Sequence, residues 1–257
     1  MQPESNSRAS LAGRRVLVTR ARGAADRLVT LLEERGAEVI HHPVIRISPP
    51  ADWAPVDAAL EHLERYDWLV FSSANGVRYL LERLGNRACR LQRLKIAAIG
   101  PGTAEEIQRF GLTADLVPAE YRAESLADAL RAETPRARFL LARASRGREV
   151  LCEQLLAGGA TVEQVVVYTS SDVETPEPSV AADLDAGRID WITVTSSAIA
   201  RSLVRLFGPA LASSRLASIS PLTSSTLRDL GLSPTAEAER YTMEGLVEAI
   251  VAVERGG

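Results

Sequence analysis

The chain repeats itself along most of its 257 residues. The segment that starts at Trp68, WLVFSSANGVRYLLERLG, recurs from Trp191 as WITVTSSAIARSLVRLFG, an offset of 123 residues. Arg15-Val16-Leu17-Val18-Thr19-Arg20 returns as Arg138-Phe139-Leu140-Leu141-Ala142-Arg143 at the same offset, and Gly36 returns as Gly159. Further on the offset shortens to 120: Ile99-Gly100-Pro101-Gly102-Thr103 matches Ile219-Ser220-Pro221-Leu222-Thr223, and Tyr121 matches Tyr241. Solenoid repeats run about 20 to 50 residues, so a period this long describes two copies of a domain-sized unit. A ligand is expected between the copies.

Within each copy, short apolar runs alternate with segments of helical periodicity. The first copy reads as a strand at Val16–Thr19, a helix over Ala24–Arg35 stopped by Gly36, and an extended stretch over Glu38–Ile47. A helix near Val56–Arg65, a strand at Trp68–Phe71 and a helix over Asn75–Leu84 follow. Lys95–Ile99, a helix over Gly102–Phe110, a short strand near Leu116 and a helix over Glu124–Arg131 complete it. The second copy repeats this order from Arg138 through a helix over Arg148–Ala157 and a strand over Thr161–Thr169 to a final helix at Glu244–Val253. Such alternation predicts an α/β fold with parallel sheets covered on both faces, and five strands per copy suits a flavodoxin-like arrangement. A tandem arrangement would divide the chain near Glu133–Arg136. However, Glu38–Ile47 and Thr161–Thr169 exceed the usual strand of about 5 to 6 residues and occupy equivalent positions. They are expected to leave one domain and enter the other, so that the copies exchange their opening strand–helix units.

A net charge of −3, with acidic and basic residues interspersed, gives no basic field for nucleic acid. No apolar run reaches the roughly 20 residues of a membrane helix. Cys89 and Cys152 stand apart with no secretory leader, so a cytoplasmic location and free thiols are expected, with a disulfide between them left open. The first ten residues read as an unstructured tail.

The polar residues gather where strands give way to helices: Ser72-Ser73-Ala74-Asn75, Gly100-Pro101-Gly102-Thr103, Thr195-Ser196-Ser197 and Ser220-Pro221-Leu222-Thr223. The carboxyl ends of strands are where open α/β sheets bind ligands, and helix N-termini offer N–H groups to anions. Any one of these hydroxyls is adequately explained as a helix N-cap. Four loops in two duplicated pairs favour an anion-lined cleft instead. The Gly100-Pro101-Gly102 turn carries neither the Walker nor the dinucleotide fingerprint, which disfavours nucleotides. Arg20, Arg22, Arg143, Arg146 and Arg148 follow the first strand of each copy; Arg20 and Arg143 are the candidates for carboxylate contact, the others ordinary solvated side chains. His41, His42 and His62 lack a metal-ligand set and read as surface or linker residues. Tyr168, at the end of the second long strand, reads first as a hinge-packing residue.

These segments resemble the uroporphyrinogen-III synthase family over residues 12 to 254. The likeness is carried by Val16–Arg20, Phe71–Asn75, Ala98–Ala104, Val167-Tyr168-Thr169, Thr195–Ser197, Ile219–Thr223 and Gly245-Leu246-Val247. It implies two flavodoxin-like domains joined by a two-stranded linker: residues 1–42 with 171–257, and residues 43–170. It also implies a monomer with no metal and no organic cofactor. Its substrate would be hydroxymethylbilane, delivered by hydroxymethylbilane synthase, and its product uroporphyrinogen III, formed with inversion of ring D and loss of water. Tyr168 would be the catalytic proton donor, and Arg20, Ser72, Ser73, Asn75, Gly100, Thr103, Arg143, Ser196, Ser197 and Thr223 would bind substrate. One departure is Ser220, where the family pattern has glycine; a left-handed backbone there would be strained. The competing reading is a non-catalytic two-domain protein that binds or senses a tetrapyrrole or another anionic ligand.

Overall fold

A computed structural model describes residues 10–21, 27–85 and 91–256. Arg22, Cys89, the first turn of the helix expected from Ala24 and all of the expected tail but Ser10 lie outside the described residues. The chain divides into two compact units, residues 1–46 with 171–257 and residues 47–170. The first crossing thus falls between Arg46 and Ile47, later than the expected 42/43, and the second between Ser170 and Ser171.

The first unit holds strands β1 (Arg15–Val18) and β2 (Glu38–His41) on either side of helix α1 (Arg27–Glu34). In the second unit, β3 (Ile45–Ser48) leads to α2 (Ala54–Glu61), β4 (Trp68–Phe71), α3 (Ala74–Leu84), β5 (Lys95–Ala98), α4 (Pro101–Arg109), α5 (Ala123–Glu133), β6 (Arg138–Ala144), α6 (Val150–Ala157) and β7 (Thr161–Asp172). The chain then completes the first unit with α7 (Pro178–Asp185), β8 (Trp191–Val194), α8 (Ser197–Phe207), β9 (Arg215–Ser218), α9 (Pro221–Asp229), β10 (Ala236–Glu237) and α10 (Met243–Gly256).

Two expected elements differ. The long strand over Glu38–Ile47 is split into β2 and β3 around His42-Pro43-Val44, because Pro43 has no N–H for a ladder; His42 and Val44 still donate to the carbonyls of Val18 and Thr19 at 3.0 Å each. The strand expected near Leu116 is a single bridge to Ala97.

Sheet order in the first unit is β10-β9-β8-β1-β2, and in the second β3-β7-β6-β4-β5. The four ladders of the first sheet are parallel, as are β7–β6, β6–β4 and β4–β5 of the second. β1 therefore pairs with β8 of the later copy, with β2 outside it at the sheet edge, and β6 and β7 pair with β4 and β3 of the earlier copy. The opening units are exchanged, and the chain passes between units in β3 and β7.

Alternation along each strand builds a core on both faces of its sheet. In β4, Leu69 and Phe71 pack with Val77, Leu80 and Ile107 on one face. Trp68 and Val70 pack with Leu126, Leu130 and Leu155 on the other. In β8, Trp191 joins Val16, Leu28 and Ile250, while Ile192 and Val194 join Leu184, Leu203 and Leu227. All four residues of β4 and of β8 are buried, as central strands between two helical layers require. At about 1.5–3 kcal/mol for each large apolar side chain, these layers carry most of the stability of each unit. Gly36 and Gly159, matched in sequence, both take a left-handed conformation, φ +85° and +82°, just after α1 and α6. Glycine ends a helix in this way at little steric cost.

Candidate functional site

In the second unit, β4 ends at Phe71 and the chain turns through Ser72, which is exposed, into α3. Ser73 is extended (φ −166°, ψ 153°), and its Oγ accepts the Gly76 N–H at 3.0 Å, forming the N-cap. The same Oγ lies 3.1 Å from the phenol oxygen of Tyr168 on β7. Asn75 turns its amide oxygen to Arg78, which donates from Nη2 at 3.1 Å. At the neighbouring strand end, buried Gly100 opens α4 with no side-chain cap, and the Thr103 and Ala104 N–H groups bond back to its carbonyl at 3.1 and 3.0 Å. Thr103 is buried.

Tyr168 owes its orientation to an irregularity in β7. Arg143 pairs with Val166 but Ala144 pairs with Tyr168, so Val167 is an extra residue, a β-bulge. Strict alternation would send consecutive residues to opposite faces. Here Val165, Val167 and Tyr168 all pack into the same core cluster. The Tyr168 carbonyl accepts the Ser145 N–H at 2.9 Å, and its ring stacks on Tyr79 at 5.9 Å between centroids and 20° between planes. The guanidinium of Arg78 lies 5.6 Å from the Tyr79 ring. Burial pushes the Tyr168 phenol above the ordinary tyrosine range, and the hydrogen bond with Ser73 pulls the other way.

Arg143, expected to face a carboxylate ligand, turns its guanidinium to Glu149, to the Gln164 side-chain oxygen at 3.0 Å and to the Ala144 carbonyl at 3.1 Å. That pairing holds the Glu149 carboxyl below its usual range.

The first unit has matching turns. Ser196 (φ −170°) caps α8 by accepting the Ile199 N–H at 3.2 Å. Ser197 Oγ accepts from the Thr226 hydroxyl at 2.8 Å. Ser220 caps α9 through the Thr223 N–H at 3.3 Å, and its Oγ lies 3.1 Å from the Thr223 hydroxyl. The strain anticipated at Ser220 does not arise: its φ is −163° and that of Gly100 is −173°, extended backbone open to any residue. Glycine at position 100 answers to packing instead, since a Cβ there would meet Cβ and Cγ of Tyr121 at 3.1 Å. Arg20, just after β1, directs Nη1 at the Met243 sulfur at 3.6 Å. His42, read as a surface or linker residue, lies between β2 and β3 but is buried edge-on against Phe207. Burial lowers its pKa below the ordinary imidazole value.

Among the described residues, no three His, Cys, Asp or Glu side chains gather as metal ligands, and no helix is long and apolar enough to cross a membrane. Cys152 is free and buried. Sequence reasoning missed Gly76, Tyr79 and Thr226. Gly76 stands in the quoted FSSANG segment, and a Cβ on it would come within 3.3 Å of both Ser73 Oγ and the Ala142 carbonyl. Thr226 closes the hydroxyl-rich run from Thr223, whereas nothing in the sequence marks Tyr79 as the partner of Tyr168.

Parallel sheets with hydroxyls and helix N-termini at the carboxyl ends of their strands define the small-molecule class of open α/β proteins. A family model described as uroporphyrinogen-III synthase HemD matches residues 26–248. The chain belongs to the uroporphyrinogen-III synthase family, and its activity is the cyclase step of tetrapyrrole biosynthesis. It is 33% identical over 252 residues to a uroporphyrinogen-III synthase of Synechococcus elongatus, covering 93% of this chain and 95% of the relative. To a putative uroporphyrinogen-III synthase of Methanocaldococcus jannaschii it is 29% identical, with 92% and 97% covered. Its fold is similar to that of a mutant uroporphyrinogen III synthase of Thermus thermophilus, with a TM-score of 0.65 at 18% identity and 95% and 100% of the chains covered. The Helicobacter pylori enzyme gives a TM-score of 0.64 at 18% identity, with 93% and 99% covered.

Proposed function

We propose that the chain is a cyclising hydro-lyase that converts hydroxymethylbilane to uroporphyrinogen III, with Tyr168 as proton donor. The observation that carries the role of Tyr168 is the buried phenol beside Ser73, aligned by a bulge at the carboxyl end of a parallel sheet. Loss of water from the terminal hydroxymethyl group leaves an azafulvene-like cation. The substituted carbon of ring D attacks it, and a spiro intermediate then fragments and recombines with that ring reversed. An electron-rich pyrrole expels the hydroxyl group as water readily once its oxygen receives a proton, so a phenol, a weak acid at neutral pH, is sufficient. The harder task is choosing which carbon attacks, and that is a matter of holding one conformer.

Acetate and propionate carboxylates are the handles for that task. Ser72, Asn75, Gly100, Thr103, Ser196, Ser197 and Thr223 lie at helix N-termini suited to receive them, without formal positive charge. Arg20 is the arginine we assign to carboxylate contact; Arg143, committed to Glu149, supports its strand–helix turn instead. The strand order 2-1-3-4-5 within the first unit supports a flavodoxin-like topology. The same reading has a cytosolic monomer that takes its bilane from hydroxymethylbilane synthase. The test is the rate at which purified protein consumes freshly generated hydroxymethylbilane, compared with spontaneous closure: a protein that only binds the bilane leaves that rate unraised.

A further inference from the structure

We propose that Ser73 is a positioning residue for Tyr168: its hydroxyl donates to the phenol oxygen, leaving the phenol's own proton free for the departing hydroxyl of the substrate and a donor in place for the phenolate that remains. This rests on the reading of Tyr168 as proton donor.

At 3.1 Å either oxygen could donate, and the surroundings decide the direction. Ser73 Oγ already accepts the Gly76 N–H at 3.0 Å. A hydroxyl that accepts one hydrogen bond becomes a better donor in the next, and its single proton remains available for Tyr168. The serine has little freedom to turn away, because the cap fixes it in extended geometry and Gly76 supplies the space its Oγ occupies. The Tyr79 stack restrains the ring. The second copy provides an internal comparison. Ser196, the counterpart of Ser73, caps α8 in the same way, yet the counterpart of Tyr168 is Ile45. Capping therefore accounts for a serine in both copies and does not account for the phenol in one. Burial raises the phenol's pKa and the bond from Ser73 opposes that rise, which is the sense in which a donor to the phenolate acts.

In the reaction, the phenol proton passes to the hydroxymethyl oxygen and the C–O bond breaks with its electron pair on oxygen. Water leaves, the pyrrole nitrogen lone pair compensates the carbon, and Tyr168 is a phenolate held by Ser73. After ring closure, the proton released as the last pyrrole regains aromaticity returns to the phenolate. One water is lost and the enzyme is restored.

The test uses Ser73→Gly, since glycine replaces serine at an N-cap for only a few tenths of a kcal/mol and removes the hydroxyl. Ser73→Thr serves as the conservative rescue, and both are made with and without Tyr168→Phe. Phenol ionisation is followed by ultraviolet difference absorbance, with Tyr168→Phe as the reference that isolates this ring. The expected result is a kcat about 10- to 100-fold lower in Ser73→Gly with KM little changed. The ionisation of Tyr168, and the alkaline limb of the kcat profile with it, should move to higher pH, and Ser73→Thr should restore both. In the Tyr168→Phe background, Ser73→Gly should lower kcat no further. An unmoved ionisation, or an equal fall in kcat with and without the phenol, would overturn the inference. Near-normal turnover in Tyr168→Phe while Ser73→Gly still moves the ionisation would instead remove Tyr168 as proton donor, leaving the pair without a catalytic role.

Discussion

Trp191 donates its indole N–H to Glu254 at 2.8 Å, joining the first central strand residue of one unit to the last helix of the chain. Glu254 is nearly buried and also receives Arg14 at 2.7 Å and Arg215 at 2.5 Å. The counterpart of Trp191 in the duplication, Trp68, donates to the Thr134 hydroxyl at 3.2 Å. Glu254→Ala strands the indole N–H, whereas the two arginines, 43% and 35% exposed, can turn to water. The expected loss is therefore about 1–3 kcal/mol, the cost of an unsatisfied buried donor, and less than that of a fully buried broken ion pair. Denaturant unfolding of the variant measures it, and an unchanged midpoint would contradict this assignment.

The matched turns at Gly100 and Ser220 should respond differently to substitution. Gly100→Ala forces a methyl onto the Tyr121 side chain near its own backbone and should cost about 1–3 kcal/mol. Ser220→Gly removes only a cap that glycine partly replaces, so a few tenths are expected. Thermal midpoints of the two variants, measured side by side, check the contrast; equal losses would mean that Tyr121 yields.

His42 should make the fold acid-sensitive. It is buried, its Nε2 has no hydrogen-bond partner among the described residues, and burial lowers its pKa against a smaller opposing pull from Glu177. The folded chain then binds less proton at this site than the unfolded chain. Its contribution is fully present above the ordinary imidazole value of 6.5 and is lost as pH falls from there toward the lowered folded value. Across that window the unfolding free energy of the parent should fall relative to that of His42→Phe as pH falls. A constant difference would show that His42 does not titrate with folding.

The duplication made much of this legible in advance, because matched residues meet the same physical demands in both copies. Trp68 and Trp191 start central strands, Gly36 and Gly159 end helices, and Ser73 and Ser196 cap them. The exchange of opening units was legible in the length of the two extended crossing segments, although Pro43 splits the first into two strands. What the sequence withheld depends on contacts distant along the chain or on single-residue irregularities. The bulge at Val167 leaves no mark in a run of valines, yet it determines which face Tyr168 occupies. The Ser73–Tyr168 pair joins residues 95 apart. Pro43 is visible in the sequence, but the backbone bonds on either side of it, to Val18 and Thr19, are not.

Tyr168→Phe keeps the ring and its stack on Tyr79 but removes the proton. Turnover should fall by about 10²- to 10⁴-fold, the range for loss of a general acid, with substrate binding mostly retained. The product that remains should still be the III isomer, since conformer selection does not depend on the phenol. Single-turnover kinetics on the stably folded variant check this, and near-normal turnover would return Tyr168 to a packing role.

The most direct measurement is the isomer ratio formed when purified protein meets freshly generated hydroxymethylbilane, resolved chromatographically against a protein-free control. Uroporphyrinogen III should predominate, while the control closes without inversion to the I isomer. A mixture indistinguishable from the control, at the control's rate, would contradict the assignment of this chain as the cyclase.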